Sequence, residues 1–269
     1  GNYTRMGYNQ AMQGNGLLAG KRGVIFGVAN QHSLAWKIAQ RCAAHGALLA
    51  ISYQNERFEE KVGALAAELP DAFTFQCDLN NDAEIAERVA MLKERWGQVD
   101  FMAHCVAYAL REELAGRFLD TSREGFKIAM ETSVYTFVAA VRHLEPILAP
   151  KASVLTLTYL GSERVVPGYS VMGVAKAALE ASVRYLAYEL GDRQIRVNAL
   201  SPGPVSTLAA RGIRGFTSMM EYVRERAPFK RDTDPYEVGD AAVFLFSELG
   251  RGVTGEVIYI DAGYHVLGM

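Results

Sequence analysis

Two tyrosines and a lysine lie close together in the sequence, where they can act on one substrate: Tyr159, Tyr169 and Lys176. Tyr169 and Lys176 are seven positions apart, almost two helical turns, so we expect both side chains on one face of a helix. Tyr159 follows the apolar run 153–158, which predicts a buried strand. A phenol and an ammonium group would then share one pocket. This pairing suits hydride chemistry on a carbon–carbon double bond, although single tyrosines usually pack and single lysines are usually solvated.

Composition excludes several other classes of protein. The chain has 269 residues and a net charge of −2 with mixed signs, which argues against a nucleic-acid binder. No apolar run approaches the ~20 residues that cross a bilayer, so we expect a cytoplasmic protein without membrane association. The three cysteines are odd in number and widely spaced, which predicts reduced core thiols. The five histidines form no paired motif, so no metal site is expected; we expect His104 to be a core residue at a strand end.

Short aliphatic runs alternate with amphipathic helical patterns along the chain. The runs predict seven strands, at residues 23–26, 47–51, 72–76, 101–104, 154–157, 196–200 and 257–260. This alternation predicts an α/β fold: a single Rossmann-like, doubly wound parallel sheet with helices on both faces and strand order 3-2-1-4-5-6-7. Ligands bind such sheets at the carboxyl ends of the strands, beside the first strand, and the candidate residues follow predicted strands.

A dinucleotide site is indicated by several strand ends. Segment 27–33 turns at Gly27 and reaches Ser33 at the start of a helix, where small residues let a pyrophosphate approach, although any serine-capped helix could look the same. Asp78 follows the third strand and can accept a hydrogen bond from an adenine amino group. Gln54 ends the second strand without adding charge, which favours NADH over NADPH, with Arg57 as the opposing feature.

The rest of the chain predicts one domain. Residues 17–269 contain no linker or repeat, and residues 1–16 are polar and glycine-rich, so we treat them as a flexible tail. Residues 202–231 are rich in proline, glycine and methionine, which indicates a lid over the substrate with Phe216 and Met219 as apolar contacts. A surface loop with core anchors is an equally good interpretation of that segment alone.

Over about residues 17–269, the chain resembles the NADH-dependent enoyl-acyl-carrier-protein reductases of bacterial fatty-acid synthesis, a divergent branch of the short-chain dehydrogenase/reductase superfamily. Its specific element is the Tyr-x6-Lys spacing of Tyr169 and Lys176, since carbonyl-reducing members use Tyr-x3-Lys, which this chain lacks. Matching segments are 27–33, 53–54, 77–79, 104–109 and 201–210. Four positions depart from the family pattern and put the pocket shape in question: Cys105, Ala107, Pro202 and Ser206.

The resemblance implies roles for individual residues. The implied catalytic residues are Tyr159, Tyr169 and Lys176. Tyr169 would donate a hydrogen bond to the substrate oxygen, Lys176 would hold the nicotinamide ribose, and Tyr159 would shape the pocket and assist in a lesser role. Implied NADH contacts are Gly27, Ser33, Leu34, Gln54, Asp78, Leu79, Cys105, Val106, Ala107, Lys176, Val205 and Thr207. Implied substrate contacts are Ala109, Tyr159, Tyr169, Met172, Phe216 and Met219.

The resemblance also implies partners. An acyl carrier protein would deliver the enoyl substrate, with Arg211 and Arg214 as candidate docking charges unless they are merely solvated. A homotetramer is implied, with residues 118–148 and 171–190 between subunits. Two other functions remain open: a short-chain carbonyl reductase, which the absence of Tyr-x3-Lys disfavours, and a catalytically silent dinucleotide-binding regulator, which the presence of both Tyr169 and Lys176 disfavours.

Overall fold

The computed structural model describes residues 16–207 and 215–268 and contains one parallel sheet. Within these ranges the sheet has seven strands in the order β3-β2-β1-β4-β5-β6-β7, as the sequence predicts. All neighbouring strands pair in parallel. The strands are β1 Arg22–Phe26, β2 Leu48–Tyr53, β3 Phe73–Gln76, β4 Val99–His104, β5 Leu148–Leu157, β6 Arg196–Pro202 and β7 Val257–Ile260. The order reverses beside β1, which places the ligand crevice at the carboxyl ends of β1 and β4.

Helices cover both faces of this sheet. They are α1 Leu34–Ala44, α2 Glu59–Ala66, α3 Asp82–Trp96, α4 Arg111–Ala115, α5 Arg123–Met130, α6 Thr136–Leu144, α7 Val171–Glu189, α8 Phe216–Arg226 and α9 Pro235–Phe246. A π-helical turn, Glu131–Tyr135, joins α5 to α6. The doubly wound arrangement predicted from the alternating pattern is therefore confirmed.

Alternate strand residues divide the core into two layers, because side chains in a strand point to opposite faces. Val24 packs in the layer built with α3, α6 and α7, whereas Ile25 packs in the layer built with α1, α2 and α9. In the second layer Phe101 stacks on Phe246 with ring centroids 4.3 Å apart. Both layers pack against the sheet and so position the residues at its carboxyl edge.

Two local predictions differ from the structure. The fifth strand begins at Leu148 rather than near residue 153. Tyr169 lies ahead of α7, which begins at Val171, so the expectation that Tyr169 and Lys176 share a helix is wrong. The physical reason is Ser170, whose φ of 48° and ψ of −126° break the helix.

The ends of the described ranges bear on two further predictions. Residues 1–15 of the predicted tail lie outside the described residues, whereas Gly16 lies against His45. The predicted lid is described at residues 202–207 and 215–231, where α8 contains its methionines. In the ranges that the structure covers, no helix is long and apolar enough to span a lipid bilayer.

Candidate active site

A cavity of about 680 Å³ opens at the carboxyl edge of the sheet. This volume suits a small-molecule or cofactor site. The structure brings together every residue that the sequence indicated for the site, since all of them line this cavity: Gly27, Ser33, Leu34, Gln54, Asp78, Leu79, Cys105, Val106, Ala107, Ala109, Tyr159, Tyr169, Met172, Lys176, Val205, Thr207, Phe216 and Met219.

Gly27 forms the sharp turn after β1. Its φ is +101°, and a Cβ at this position would lie 2.1 Å from the carbonyl oxygen of Cys105. Only glycine satisfies both the left-handed backbone and the close approach. The turn brings the chain from β1 beside the segment that follows β4, and so forms the floor of the cavity between them.

Ser33 braces the same turn from the start of α1. Its hydroxyl oxygen accepts hydrogen bonds from the backbone N–H groups of Ala29 and Asn30, each 3.1 Å long. Ser33 occupies the N-cap position, yet its side chain does not cap the helix. Ser33, Leu34 and Ala35 line the cavity. The first N–H groups of any α-helix lack a carbonyl one turn earlier, so the N-terminus of α1 offers hydrogen-bond donors there.

Tyr169 reaches the cavity from a tight turn. Its carbonyl oxygen accepts a 3.0 Å hydrogen bond from the N–H of Met172, and Ser170 between them has a positive φ. These features describe a type II′ turn that leads directly into α7. Burial raises the pKa of the Tyr169 phenol, and the neighbouring Tyr159 and Glu180 raise it further. Tyr169 is therefore a neutral hydrogen-bond donor throughout the physiological range.

Lys176 reaches the same cavity from the second turn of α7. The side chain is only 6% exposed, and Nζ donates a 2.8 Å hydrogen bond to the carbonyl oxygen of Leu157 at the end of β5. An ammonium group has three donors, so two remain for other partners. Burial lowers the pKa of Lys176 to about 8, against the opposing effect of Cys105 and Glu180.

Tyr159 forms the wall between the sheet and the lid helix. Its ring meets that of Tyr169 edge to face, and its hydroxyl lies 3.6 Å from Met219 Sδ on α8. Burial raises the pKa of Tyr159 to about 12. Both phenols therefore keep their protons near neutral pH.

The groups behind Lys176 are uncharged near pH 7. Burial lowers the pKa of His104 to about 3, and both ring nitrogens bond hydroxyls, those of Thr156 and Thr136, at 2.9 Å. His104 is thus the buried residue at a strand end that the sequence predicted. Burial also raises the pKa of Cys105 to about 12, so its thiol is neutral. The three cysteines are free, as expected.

The opposite end of the cavity contains the residues expected to contact an adenosine. Asp78 Oδ1 accepts hydrogen bonds from the backbone and side-chain nitrogens of Asn80, at 3.0 and 3.1 Å. The carboxylate is thereby oriented, and its second oxygen can accept another donor. Gln54 is exposed and lines the cavity, as does Arg57.

Sequence reasoning missed a clamp on the segment after β4. Ser133, fully buried in the π-helical turn, accepts a 2.9 Å hydrogen bond from the N–H of Tyr108 and donates a 3.0 Å bond to its carbonyl oxygen. Tyr108, in the matching segment 104–109, lines the cavity, and so do Arg111 and Thr158, for which the sequence indicated no role. No local sequence signal connects positions 108 and 133. The candidate docking charges Arg211 and Arg214 lie outside the described residues.

A Rossmann-type parallel sheet with a tyrosine and a lysine at its carboxyl edge places the protein in the class of short-chain dehydrogenases and reductases. The family model described as enoyl-(acyl carrier protein) reductase matches residues 27–265. The chain belongs to this family.

Curated relatives and solved structures agree with that assignment. The NADH enoyl-acyl-carrier-protein reductase 1 of Rhizobium meliloti strain 1021 is 49% identical over 257 residues, covering 96% of this chain and 94% of the relative. A solved enoyl-acyl carrier protein reductase of Bacillus cereus, with NADP+ and an indole naphthyridinone, is 49% identical with a TM-score of 0.93, covering 94% of this chain and 100% of that one. A relative from Anaplasma phagocytophilum, solved in complex with NAD, is 46% identical with a TM-score of 0.91, covering 96% of this chain and 99% of that one.

Proposed function

We propose that the protein reduces the carbon–carbon double bond of trans-2-enoyl-acyl-carrier-protein thioesters with NADH, a step of fatty-acid elongation. The observation that carries this proposal is the shared cavity of Tyr169 and Lys176, at the spacing that distinguishes enoyl reductases from carbonyl reductases. The curated relatives from Rhizobium meliloti and Bacillus cereus are both named as NADH enoyl-acyl-carrier-protein reductases, and the match covers 94% and 99% of their length.

The residues present fit NADH. The helix N-terminus beside Gly27 suits the pyrophosphate, and the free oxygen of Asp78 suits the adenine amino group. Gln54 offers hydrogen bonds to the adenosine ribose without charge, and the two remaining donors of Lys176 suit the nicotinamide ribose hydroxyls. All of these groups line one cavity of about 680 Å³.

NADH would supply the hydride that adds to the β-carbon of the enoyl thioester and would become NAD+. Negative charge would then develop on the thioester oxygen, to which the Tyr169 hydroxyl donates a hydrogen bond, and a proton from solvent at the α-carbon would complete the reduction. A donor that is already in place stabilises this charge without reorganisation. Because Tyr169 is buried and protonated, it donates to the oxygen without first having to gain a proton.

Lys176 contributes position and charge. It is held by Leu157 at one donor, so its ammonium group is fixed beside the site where charge develops. Tyr159 supports the ring of Tyr169 and closes the cavity against Met219. Met172, at the start of α7, supplies an apolar wall for the acyl chain or the nicotinamide.

An acyl carrier protein would bring the enoyl chain to the lid. Phe216 and Met219 on α8 line the cavity and give residues 202–231 the apolar contacts of a substrate lid. Arg211 and Arg214 remain candidate docking charges for an acidic carrier, because opposite charge steers such encounters.

The proposed assembly is a cytoplasmic homotetramer. Tyr188 on α7 is 87% exposed and Tyr185 is 73% exposed, and Leu119 is 77% exposed in the other segment assigned to subunit contacts. Large apolar side chains of this kind are covered in stable oligomers. Sedimentation equilibrium gives the subunit number, and a monomer at micromolar concentration would contradict the proposal.

The activity is tested by following NADH absorbance with crotonyl and longer trans-2-enoyl thioesters. NADH oxidation by these substrates, with NADPH used less well, supports the proposal. An acetoacetyl thioester is the ketone control. Oxidation by the ketone alone would make the protein a carbonyl reductase, and no oxidation by either substrate would favour a regulator that only binds dinucleotide.

A further inference from the structure

A buried carboxylate lies beside the site without a part in the reaction described above. Glu180 is on α7, one turn beyond Lys176, and is only 6% exposed. Burying a carboxylate costs free energy unless hydrogen bonds or opposite charge compensate. Its contacts therefore indicate what the buried charge does.

Glu180 is bonded to the end of β5. Thr158 Oγ1 donates a 2.6 Å hydrogen bond to Glu180 Oε1. Thr158 is 4% exposed, and its backbone N–H donates to the carbonyl oxygen of Leu200 on β6. The next residue is Tyr159, so this bond fixes the chain immediately before the Tyr159 ring enters the cavity.

Lys176 fixes the preceding residue in the same way. Its Nζ bonds the carbonyl oxygen of Leu157, while Glu180 bonds Thr158. Positions 176 and 180 are one helical turn apart and lie on the same face of α7. Two side chains of opposite charge therefore attach two consecutive residues of the chain to one helix.

The charge of Glu180 also acts on Lys176. Burial lowers the pKa of Lys176, and the charges of Cys105 and Glu180 raise it. Because the pKa of Cys105 is about 12 and that of His104 is about 3, both of these neighbours are neutral near pH 7. Glu180 is therefore the group of these three that favours the ammonium form at working pH.

The charge of Glu180 also acts on two phenols, Tyr169 ahead of α7 and Tyr259 on β7. For Tyr169, burial and then Tyr159 raise the pKa more than Glu180 does. For Tyr259, burial and then the hydrogen bond and charge of Glu163 raise the pKa more than Glu180 does. One carboxylate thus favours the protonated lysine and the protonated phenol together. These are the states in which Lys176 binds ribose hydroxyls as a cation and Tyr169 donates to a substrate oxygen.

We propose that Glu180 is a positioning residue for this site: it holds the end of β5 through Thr158, and its charge holds the ammonium group of Lys176 in its working form. The inference rests on the proposed function for its effect on turnover. Its effect on NADH binding is measured without any enoyl substrate.

The test separates charge from hydrogen bonding. Glu180→Gln removes the charge and keeps an oxygen that accepts from Thr158, whereas Thr158→Val removes the donor and keeps the charge. Glu189→Gln, an exposed position on the same helix, is the matched control for loss of one negative charge. NADH affinity is measured by fluorescence titration from pH 6 to 10, followed by kcat for an enoyl thioester.

In the wild type, NADH affinity is expected to fall as pH rises through about 8, because Lys176 then loses its proton. Glu180→Gln should move this midpoint about one pH unit lower, the effect expected for loss of a nearby opposite charge. Thr158→Val should leave the midpoint in place and lower kcat, and Glu189→Gln should change neither.

An unchanged midpoint in Glu180→Gln would overturn the role of its charge. If Glu180→Gln does not fold, Thr158→Val still tests the positioning role. A wild-type kcat in Thr158→Val would overturn that role. Failure of the proposed function gives a different result: the wild-type protein would bind NADH with the expected pH dependence and not reduce enoyl thioesters.

Discussion

The ring of Tyr159 meets the ring of Tyr169 edge to face, with centroids 4.9 Å apart and planes 76° apart. Such a contact stabilises an aromatic pair by about 0.5–1.5 kcal/mol beyond simple burial. It joins a residue at the end of β5 to a residue on the turn before α7. The orientation of the Tyr169 hydroxyl therefore depends on both elements. In the proposed mechanism Tyr169 donates to the substrate oxygen, and Tyr159 supports its ring.

Tyr169→Phe should lower kcat for enoyl reduction by roughly 10²-fold, the usual cost of removing one donor to a developing oxyanion. NADH affinity should stay close to the wild-type value, because the phenylalanine ring keeps the contact with Tyr159. Lys176→Ala should reduce both kcat and NADH affinity, because of these two residues only the lysine is assigned a cofactor contact. Stopped-flow turnover and fluorescence titration measure the two effects, and an equal loss of NADH affinity in both variants would contradict these assignments.

Much of this arrangement follows from the sequence. Strand order and the parallel sheet fix which strand ends meet, so residues as distant as Gly27, Asp78 and Tyr159 are expected in one crevice, where they lie. This works because apolar periodicity and the rules of connection are properties of the whole chain. Individual side-chain contacts do not enter such reasoning.

What sequence reasoning missed depends on local backbone geometry. Tyr169 precedes α7 because Ser170 adopts a positive φ. Glycine is the residue that usually signals this conformation, and position 170 is a serine. Ser133 in a π-helical turn binds the backbone of Tyr108, and the sequence of residues 131–135 contains no pattern that predicts this turn. The bond between Thr158 and Glu180 likewise joins positions that become neighbours only when the helix packs on the sheet.

Acid should destabilise the protein through His104. Burial, with a smaller effect of Lys176, lowers the pKa of His104 to about 3, whereas an unfolded chain binds this proton near pH 6.5. The stabilising contribution of the neutral histidine is therefore complete above about pH 6.5 and is lost as pH falls towards 3. One proton taken up on unfolding gives a slope of roughly 1.4 kcal/mol per pH unit.

Urea unfolding at several pH values between 7 and 4 measures this slope. His104→Asn should be less stable than the wild type at pH 7, because the bonds to Thr156 and Thr136 change, yet its stability should depend less on pH. His32→Asn, at an exposed position, is the matched control and should keep the wild-type slope. Parallel pH profiles for His104→Asn and the wild type would refute the assignment.

The turn at Ser170 should tolerate glycine and reject a β-branched residue. Its φ of 48° favours glycine, and in the part of the chain that the structure describes the Ser170 hydroxyl has no hydrogen-bond partner. Ser170→Gly should therefore fold with little loss of stability, whereas Ser170→Val should lose about 1–3 kcal/mol through backbone strain. Urea unfolding compares the two variants. Because Tyr169 begins this turn, Val should also lower kcat more than Gly, and equal stability of the two variants would contradict the turn geometry.

Use of NADPH should depend on Arg57. Its guanidinium lies 5.2 Å from the ring centroid of Phe58, and the residue lines the cavity beside Gln54. An arginine binds a phosphate through charge-assisted hydrogen bonds, which an uncharged 2′-hydroxyl does not match. Arg57→Ala should therefore lower kcat/KM for NADPH by roughly tenfold, equal to about 1.4 kcal/mol, and leave kcat/KM for NADH within about twofold.

Lys61→Ala, which removes an exposed positive charge outside the cavity, is the control and should change neither value. If Arg57→Ala lowered kcat/KM equally for NADH and NADPH, Arg57 would contact a group that both cofactors contain. The preference for NADH would then rest on Gln54 alone.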